Sequence, residues 1–394
     1  MGLLEFIAKE PKGTGCIMMN NSPKTIYIIY AGFFLKGSGV SQHIRQLQKA
    51  LQRIGFRVVI LSLEKLPFCL RYLPHVIQKI VNSVYPPWGY YYRFRFCRLI
   101  YRWLFAREIQ ATQMNSVIFE DIFITFPVKV NALAIIHALQ SDNIQNHIVS
   151  KKRMERIKEL EARIIDRVNV PIVTVSERYK QSIIRDLSPF VDIVSKIGVI
   201  PLGVDISDYI RDRKKLENNG PLKLVFVGNL EARKNVVFLI DVIKTFINRF
   251  DDKIHLYIIG SGPSEKSLKL KIRTEELIPY ITFEGRKTHN QVADMLGNYH
   301  ILLLPSLKES FSYTLLEAKL SGLKTIVNEC LDVPDEFCDI RLDLDVQKWA
   351  HHIDLLRTQL QSTNNDSESY IIQGLAMKYN SDRMVRDILH YLQS

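Results

Sequence analysis

Residues 301–322 read ILLLPSLKESFSYTLLEAKLSG, and this stretch decides the fold class of the chain. Its first four residues are apolar and predict a buried strand that ends at Pro305. A short polar loop follows, in which Ser310 or Ser312 is suited to cap the next helix, and Ser321 with Gly322 ends that helix. A buried strand that leads through a short loop into a helix is the building unit of parallel sheets covered by helices.

The same unit recurs along the chain in two sets. We predict buried strands at 25–30, 58–63, 116–119, 132–136 and 172–175, and a second set at 222–227, 255–259, 281–283, 301–304 and 325–327. Apolar strands separated by helical patterns indicate parallel sheets, and 394 residues are enough for two cores. We therefore predict an α/β fold of two doubly wound Rossmann-like domains that face a cleft.

Composition places the boundary between these domains. Charged residues at 211–215 are followed by Asn-Asn-Gly-Pro at 218–221, which is typical of a linker. We predict an N-terminal domain at 22–206, a C-terminal domain at 207–378 and a leader at 1–21. A terminal helix at 379–394 lies too far from the last predicted strand to be needed by the second core.

The overall charge and the cysteines limit the classes of partner and compartment. A net charge of +12 indicates an anionic partner, which could be a lipid headgroup, a nucleic acid or a phosphorylated small molecule. The five cysteines have neither disulfide-framework nor zinc spacing, and no apolar run reaches the ~18 residues of a spanning helix. We expect a cytoplasmic protein that lies on the inner face of a membrane if it meets one.

Glycine turns follow three of the predicted strands. The first has Gly37 and Gly39 before a helix, and the third has Gly260. Glycines at a helix N-terminus let the backbone approach a phosphate, although a tight structural turn is the alternative. The second turn has Gly228, followed by Arg233 and Lys234. These two cations suit the binding of a diphosphate; the alternative is that they are solvated surface charges.

Two glutamates flank the start of the helix in the opening stretch. Glu309 lies in the loop, and Glu317 lies about one and a half turns into the helix. Carboxylates bind pairs of hydroxyl groups and free helical N–H groups bind phosphate, so the pair fits a nucleotide sugar; ordinary surface charge is the alternative. His137, after the strand at 132–136, faces a site or is simply packed.

Two further patterns have competing interpretations. Asp343-Leu344-Asp345 resembles a metal-binding Asp-x-Asp motif, but no glycine-rich nucleotide site surrounds it, and we interpret it as a helix cap at the surface. Residues 90–107 are basic and aromatic, with Arg95, Arg98 and Arg102 on one helical face. This pattern predicts an anionic membrane surface or a solvated helix, and we expect no nucleic acid partner. The expected apolar face consists of Phe96, Leu99, Ile100 and Trp103.

Six motifs in order now make a family resemblance visible. They are Glu-x7-Glu at Glu309 and Glu317, the turn at 37–39, Val-Ser-Glu at 175–177, Ile-Pro-Leu-Gly-Val-Asp at 200–205, Val-Gly at 227–228 with Lys-Asn at 234–235, and Gly-Ser-Gly at 260–262. With these the chain resembles the retaining GT-B glycosyltransferases of family 4. It departs from them at Asn229, where the family has an arginine, and at the serines beside Phe311, where the family has glycines.

The resemblance implies a donor site in the C-terminal domain and an acceptor site in the N-terminal domain, to which the last helix returns. Glu309 would hold the donor sugar, Glu317 the ribose and Lys234 the diphosphate, with Arg233 beside it. Ser310, Phe311 and Ser312 would offer backbone N–H groups, and His137 would face the sugar. The donor is a UDP or GDP sugar, and neither a cofactor nor a metal is implied.

The implied activity is retaining transfer to a glycan or lipid-linked glycan, as in bacterial surface polysaccharide or lipopolysaccharide synthesis. A nucleotide-sugar epimerase or hydrolase on the same fold is one alternative. A non-catalytic, membrane-associated scaffold is the other.

Overall fold

The computed structural model describes residues 24–34, 38–85, 88–144, 149–209, 220–362 and 366–393. The predicted leader at 1–21, the linker core at 210–219 and Gly37 lie outside these ranges. The domain boundary between 206 and 207 therefore stays a prediction.

The N-terminal domain is built on one parallel sheet in the order β2-β1-β3-β4-β5-β6. Its strands are β1 (Thr25–Ile29), β2 (Arg57–Leu61), β3 (Ser116–Phe119), β4 (Asn131–Ile136), β5 (Ile172–Thr174) and β6 (Ile197–Val199). Its helices are α1 (Gly39–Arg53), α2 (Phe68–Arg71), α3 (Leu73–Val84), α4 (Gly89–Ile109), α5 (Gln140–Ile144), α6 (Lys151–Arg167) and α7 (Glu177–Leu187).

The C-terminal domain has a second parallel sheet, in the order β12-β11-β10-β7-β8-β9. Its strands are β7 (Leu222–Val227), β8 (Ile254–Ile259), β9 (Ile281–Gly285), β10 (Ile301–Leu304), β11 (Lys324–Asn328) and β12 (Ile340–Leu342). Its helices are α8 (Val236–Arg249), α9 (Glu265–Thr274), α10 (His289–Leu296), α11 (Tyr313–Leu320), α12 (Val346–Ser362) and α13 (Asp366–Lys378), and the chain ends in α14 (Ser381–Gln393).

The two doubly wound sheets confirm the predicted fold class, and every predicted strand is present within two residues at each end. The strands β6 and β12 were not predicted. Each has only three residues and lies at a sheet edge, so its signal in the sequence is short.

The sheet order creates one switch point in each domain. On either side of it, two adjacent parallel strands are connected onward to strands on opposite sides of the sheet. In the C-terminal domain the switch lies between β7 and β10, and in the N-terminal domain it lies between β1 and β3. Ligands of doubly wound folds bind at the carboxyl ends of the strands at such points. The loops after these strands are therefore the expected location of a ligand site.

The last helix lies on the N-terminal domain. The backbone N–H of Val204 donates to the Tyr379 carbonyl at 2.9 Å, and the Ser381 N–H donates back to the Val204 carbonyl at 2.9 Å. The helix α14 then contacts α1 and β4. Arg53 reinforces this contact, because its guanidinium donates to the Ser381 hydroxyl at 2.8 Å.

The predicted apolar face of α4 differs in exposure from residue to residue. Ile100 is buried, but Leu99 is 54% exposed and Trp103 is 76% exposed, beside the exposed Arg95 and Arg102. The side of α4 that packs on the sheet carries Cys97 and Tyr101 instead, so apolar and basic side chains share the solvent face.

The Asp-x-Asp motif caps a helix, as predicted. The Asp345 carboxylate accepts a hydrogen bond from the Lys348 N–H at 2.9 Å, at the start of α12. Asp343 forms an ion pair with the Lys348 side chain at 2.8 Å. Both carboxylates thus have local partners at the surface.

Candidate functional site

Lys234 and Glu309 meet at the switch point of the C-terminal sheet. Lys234 ends a short turn after β7, and Glu309 lies in the loop after β10. The Lys234 ammonium contacts the Glu309 carboxylate directly, and the Arg233 guanidinium lies 3.9 Å from the same carboxylate. Burial by itself would raise the pKa of Glu309, but the charges of Lys234 and Arg233 outweigh it and hold that pKa below its usual value. The site therefore has two cations beside one ionised carboxylate.

Gly228 and Gly260 allow the ends of β7 and β8 to approach each other. Gly260 has a φ of +150°, and a Cβ at this position would lie 1.8 Å from the Gly228 carbonyl oxygen. Only glycine fits this approach. The structure therefore gives Gly260 a packing reason, and its predicted contact with a donor stays a prediction.

The loop at 310–312 begins α11 and joins the two domains. The Ser310 hydroxyl donates to the His137 carbonyl at 2.5 Å, and the Ser310 carbonyl accepts from the Ser176 hydroxyl at 2.8 Å. Ser312, and not Ser310, caps α11. Its φ is +66°, and its hydroxyl accepts a hydrogen bond from the Leu315 N–H at 3.4 Å. The Phe311 ring is buried, so only its backbone can serve a ligand.

Glu317, on α11, is 3% exposed and has partners from both domains. Gln42 on α1 donates to its carboxylate at 2.5 Å, and His289 Nδ1 lies 3.5 Å from the same oxygen. Burial raises the pKa of Glu317 to about 7, although hydrogen bonds from Gln42 and Tyr209 counteract part of that rise. Gln42 and His289 were not predicted as site residues, because their proximity to Glu317 depends on how the domains face each other.

His137 lies at the carboxyl end of β4 and faces a third glutamate, Glu120, which was not predicted from the sequence. His137 Nε2 is 2.7 Å from Glu120 Oε2, and Glu120 directly follows β3, the neighbour of β4 in the sheet. His43 Nε2 is 3.6 Å from the same oxygen. One atom from each of the three side chains lies within 4.8 Å of the other two, so they could hold a metal ion. A polar residue directly after a buried strand is the sequence signal that could have indicated Glu120.

The remaining predicted position, Gly39, is the first residue of α1 and is exposed. Its helix is capped by Ser38, whose hydroxyl accepts from the Ser41 N–H at 3.0 Å. The structure thus brings together Arg233, Lys234 and Glu309, and it joins His137 to Ser310. Glu317 lies on α11, the helix that follows the loop at 310–312.

None of the described helices combines the length and the apolar character that crossing a bilayer requires.

Comparison with known families covers most of the chain. Residues 37–208 match Glycosyltransferase Family 4, and residues 208–340 match the family described as glycosyl transferases group 1. The two matches meet at residue 208 and together extend from residue 37, after β1, to the first residue of β12.

Individual relatives share shorter regions. The phosphatidylinositol N-acetylglucosaminyltransferase gpi3 subunit of Schizosaccharomyces pombe is 29% identical over 140 residues, which are 36% of this chain and 30% of that protein. The UDP-Gal:alpha-D-GlcNAc-diphosphoundecaprenol alpha-1,3-galactosyltransferase of Escherichia coli is 30% identical over 169 residues, which are 38% of this chain and 42% of that protein. The match thus spans less than half the length of either relative.

The fold itself is shared over nearly all of the chain. The crystal structure of Anabaena HepE in complex with UDP and glucose has a TM-score of 0.65 at 12% identity, covering 95% of this chain and 100% of that one.

Proposed function

We propose that this chain, which belongs to the group 1 glycosyltransferases with the GT-B fold, is an active transferase. It moves a sugar from a nucleotide diphosphate to a glycan or lipid-linked glycan. One observation carries the proposal: Arg233, Lys234 and Glu309 meet at the carboxyl ends of β7 and β10. A nucleotide sugar has a diphosphate and a hydroxyl-rich ring close together. The diphosphate matches the two cations, and the hydroxyl groups match the carboxylate.

We place the donor against the C-terminal domain. Lys234 and Arg233 hold the diphosphate, aided by the free N–H groups at the start of α11. Glu309 accepts hydrogen bonds from sugar hydroxyls, and Glu317 accepts them from the ribose. UDP is the first nucleotide to test, because UDP and glucose are bound in the Anabaena structure and the E. coli relative is named for UDP-Gal.

We propose transfer with retention on one face of the sugar. The bond between the anomeric carbon and the diphosphate oxygen breaks, and the acceptor oxygen bonds to the same face of that carbon. The acceptor proton goes to the departing phosphate oxygen. Lys234 and Arg233 offset the negative charge that develops on the diphosphate, so activity should persist in EDTA.

A three-part assay tests this function against its alternatives. UDP and GDP sugars are screened by thermal shift, and the donor that binds is then labelled and incubated with and without glycan acceptors. Transfer only with an acceptor, and with a retained anomeric configuration, supports the proposal. Conversion or hydrolysis without an acceptor would indicate an epimerase or hydrolase. A chain that binds no nucleotide diphosphate would be a scaffold.

We further propose that the acceptor is presented at an anionic membrane, in bacterial surface polysaccharide or lipopolysaccharide assembly. Residues 65–107 contain eight lysines and arginines and no aspartate or glutamate. The exposed outer side of α3 carries Val76, Ile80 and Val84, which are four residues apart and are 48%, 61% and 65% exposed. An exposed apolar stripe within a basic segment fits a bilayer with anionic lipids.

The solvent face of α4 adds a second element to this surface. An open depression of about 900 Å³ lies beside its second half, and the side chains of Arg102, Trp103, Arg107 and Lys129 are among its lining. Three cations around an apolar floor suit a phosphate headgroup attached to a hydrocarbon chain. The α3 stripe was not predicted from the sequence, because the helical face that is left open depends on what packs against it.

A further inference from the structure

The contact between Glu120 and His137 is built from two neighbouring strands. Glu120 follows β3 and His137 follows β4, which pair in register from Ser116 with Asn131 to Phe119 with Ala134. Glu120 is 3% exposed, and its Oε2 lies 2.7 Å from His137 Nε2. The sheet therefore determines this pairing, and it depends on no flexible loop between the two residues.

His137 is also tied to the predicted donor loop. Its carbonyl accepts the Ser310 hydroxyl at 2.5 Å, while its ring is held on the other side by Glu120. The His137 side chain keeps 12% of its surface exposed, whereas Glu120 keeps none. His137 is thus the partly accessible member of a buried pair, and it adjoins the loop that carries Glu309.

His43 closes the pair off from the rest of the N-terminal domain. Its ring is fully buried, with its centroid 5.0 Å from that of His137, and burial lowers its pKa to about 4. Within the described part of the chain, three buried atoms have no hydrogen-bond partner: both ring nitrogens of His43 and Oε1 of Glu120. His43 Nε2 lies 3.6 Å from Glu120 Oε2, which is beyond hydrogen-bond distance, whereas His137 Nε2 lies 2.7 Å from the same oxygen.

We propose that Glu120 is a positioning residue, which fixes the His137 ring with its Nε2–H donated to the carboxylate. In the neutral imidazole, Nδ1 is then the nitrogen that carries the lone pair, free to accept a hydrogen bond from a sugar hydroxyl. The contact between His137 and a sugar hydroxyl rests on the proposed function. The tautomer of His137 does not, because it follows from the contact with Glu120 alone.

The tautomer is tested directly by NMR. In protein labelled with ¹⁵N, two-bond correlations of the neutral His137 ring should show a protonated Nε2 and a bare Nδ1. Glu120→Gln keeps the size of the side chain but removes the charge, and it should give a mixture of tautomers. An unchanged spectrum in the variant would overturn the assignment.

Kinetics supply the second measurement. Glu120→Gln should lower kcat by about tenfold, with the KM for the donor nearly unchanged, because a misoriented His137 loses the hydrogen bond that it accepts from a sugar hydroxyl in this proposal. Glu120→Asp, which restores the charge, should recover part of the loss. Glu155→Gln, on the exposed side of α6, is the matched control and should behave as wild type. Equal kcat in Glu120→Gln and wild type would contradict the proposal.

Two controls separate the possible failures. Thermal melting and UDP binding of Glu120→Gln show whether the variant folds. A wild-type protein that transfers no sugar would refute the proposed function and leave the NMR result readable. Elemental analysis after incubation with Zn²⁺ covers a different occupant: one tightly bound ion per chain, lost in His43→Gln, would show a metal site here and overturn the positioning role.

Discussion

Gln42 on α1 donates a hydrogen bond of 2.5 Å to the Glu317 carboxylate on α11, although the two residues are 275 positions apart. This bond connects the N-terminal domain to the glutamate that we propose as the ribose ligand. If the ribose binds Glu317 as proposed, it must share or displace this hydrogen bond. Binding of the nucleotide sugar would then be coupled to the contact between the domains.

Gln42→Ala should tighten the binding of UDP, because the ribose no longer competes with a protein donor for Glu317. A hydrogen bond to a charged group contributes about 1.5 kcal/mol, so we expect the Kd to fall up to about tenfold. Titration calorimetry measures this change. Gln52→Ala, exposed on the same helix, is the control. Weaker binding by Gln42→Ala would instead mean that Gln42 contacts the nucleotide.

Lys234→Ala should weaken UDP binding more than Arg233→Ala. Lys234 contacts Glu309 directly, whereas Arg233 is 3.9 Å from it and is also paired with Glu231 at 3.2 Å. Lys234→Ala also leaves the Glu309 carboxylate with one cation fewer, so the melting temperature of the free protein should fall. Calorimetry and thermal melting measure the two effects. Equal losses of affinity in both variants would contradict the ranking.

Glu309→Gln should lower kcat by at least about a hundredfold, if a carboxylate beside the anomeric carbon stabilises the developing positive charge. The amide keeps the size of the side chain, so UDP should still bind. Turnover with a saturating donor and the melting temperature are measured together. Normal turnover by a folded Glu309→Gln protein would refute the assigned role.

His43 should reduce stability as the pH falls from about 6.5 to about 4. In the unfolded chain it takes up a proton near pH 6.5, but the folded protein holds it neutral down to about pH 4, because burial disfavours the charge more than Glu120 favours it. The effect on the unfolding free energy is at most about 3 kcal/mol. Urea denaturation of His43→Gln at pH 7 and 4.5 should show a smaller loss than wild type. The exposed His351→Gln should match wild type.

Ile80→Glu and Trp103→Glu should each weaken binding to vesicles that contain phosphatidylglycerol, by about tenfold. Each variant places a negative charge on the surface that we propose to contact anionic lipid, where a basic residue contributes about 1 kcal/mol. Sedimentation with vesicles measures the bound fraction, and neutral phosphatidylcholine vesicles should bind less. Leu270→Glu is the control, since Leu270 is 66% exposed on α9. Equal binding by all four proteins would refute this surface.

The sequence by itself determined the local units of this fold. Strands such as β3, β7 and β10 were predicted with their observed bounds, because a strand buried on both faces is mostly apolar and stands out as a short apolar run. Glu309 and Glu317 were found for the same reason, since polar residues next to such a strand and on the helix after it have a defined place in the unit.

Only the tertiary structure decided which of these units meet. Lys234 reaches Glu309 because β7 and β10 are neighbours in the sheet, and Glu120 reaches His137 because β3 and β4 are. Strand order and domain contact are set by packing between distant segments, which leaves no periodic signal in the sequence. The same packing decided that Trp103 is exposed and Ile100 is buried, although both lie on one helix.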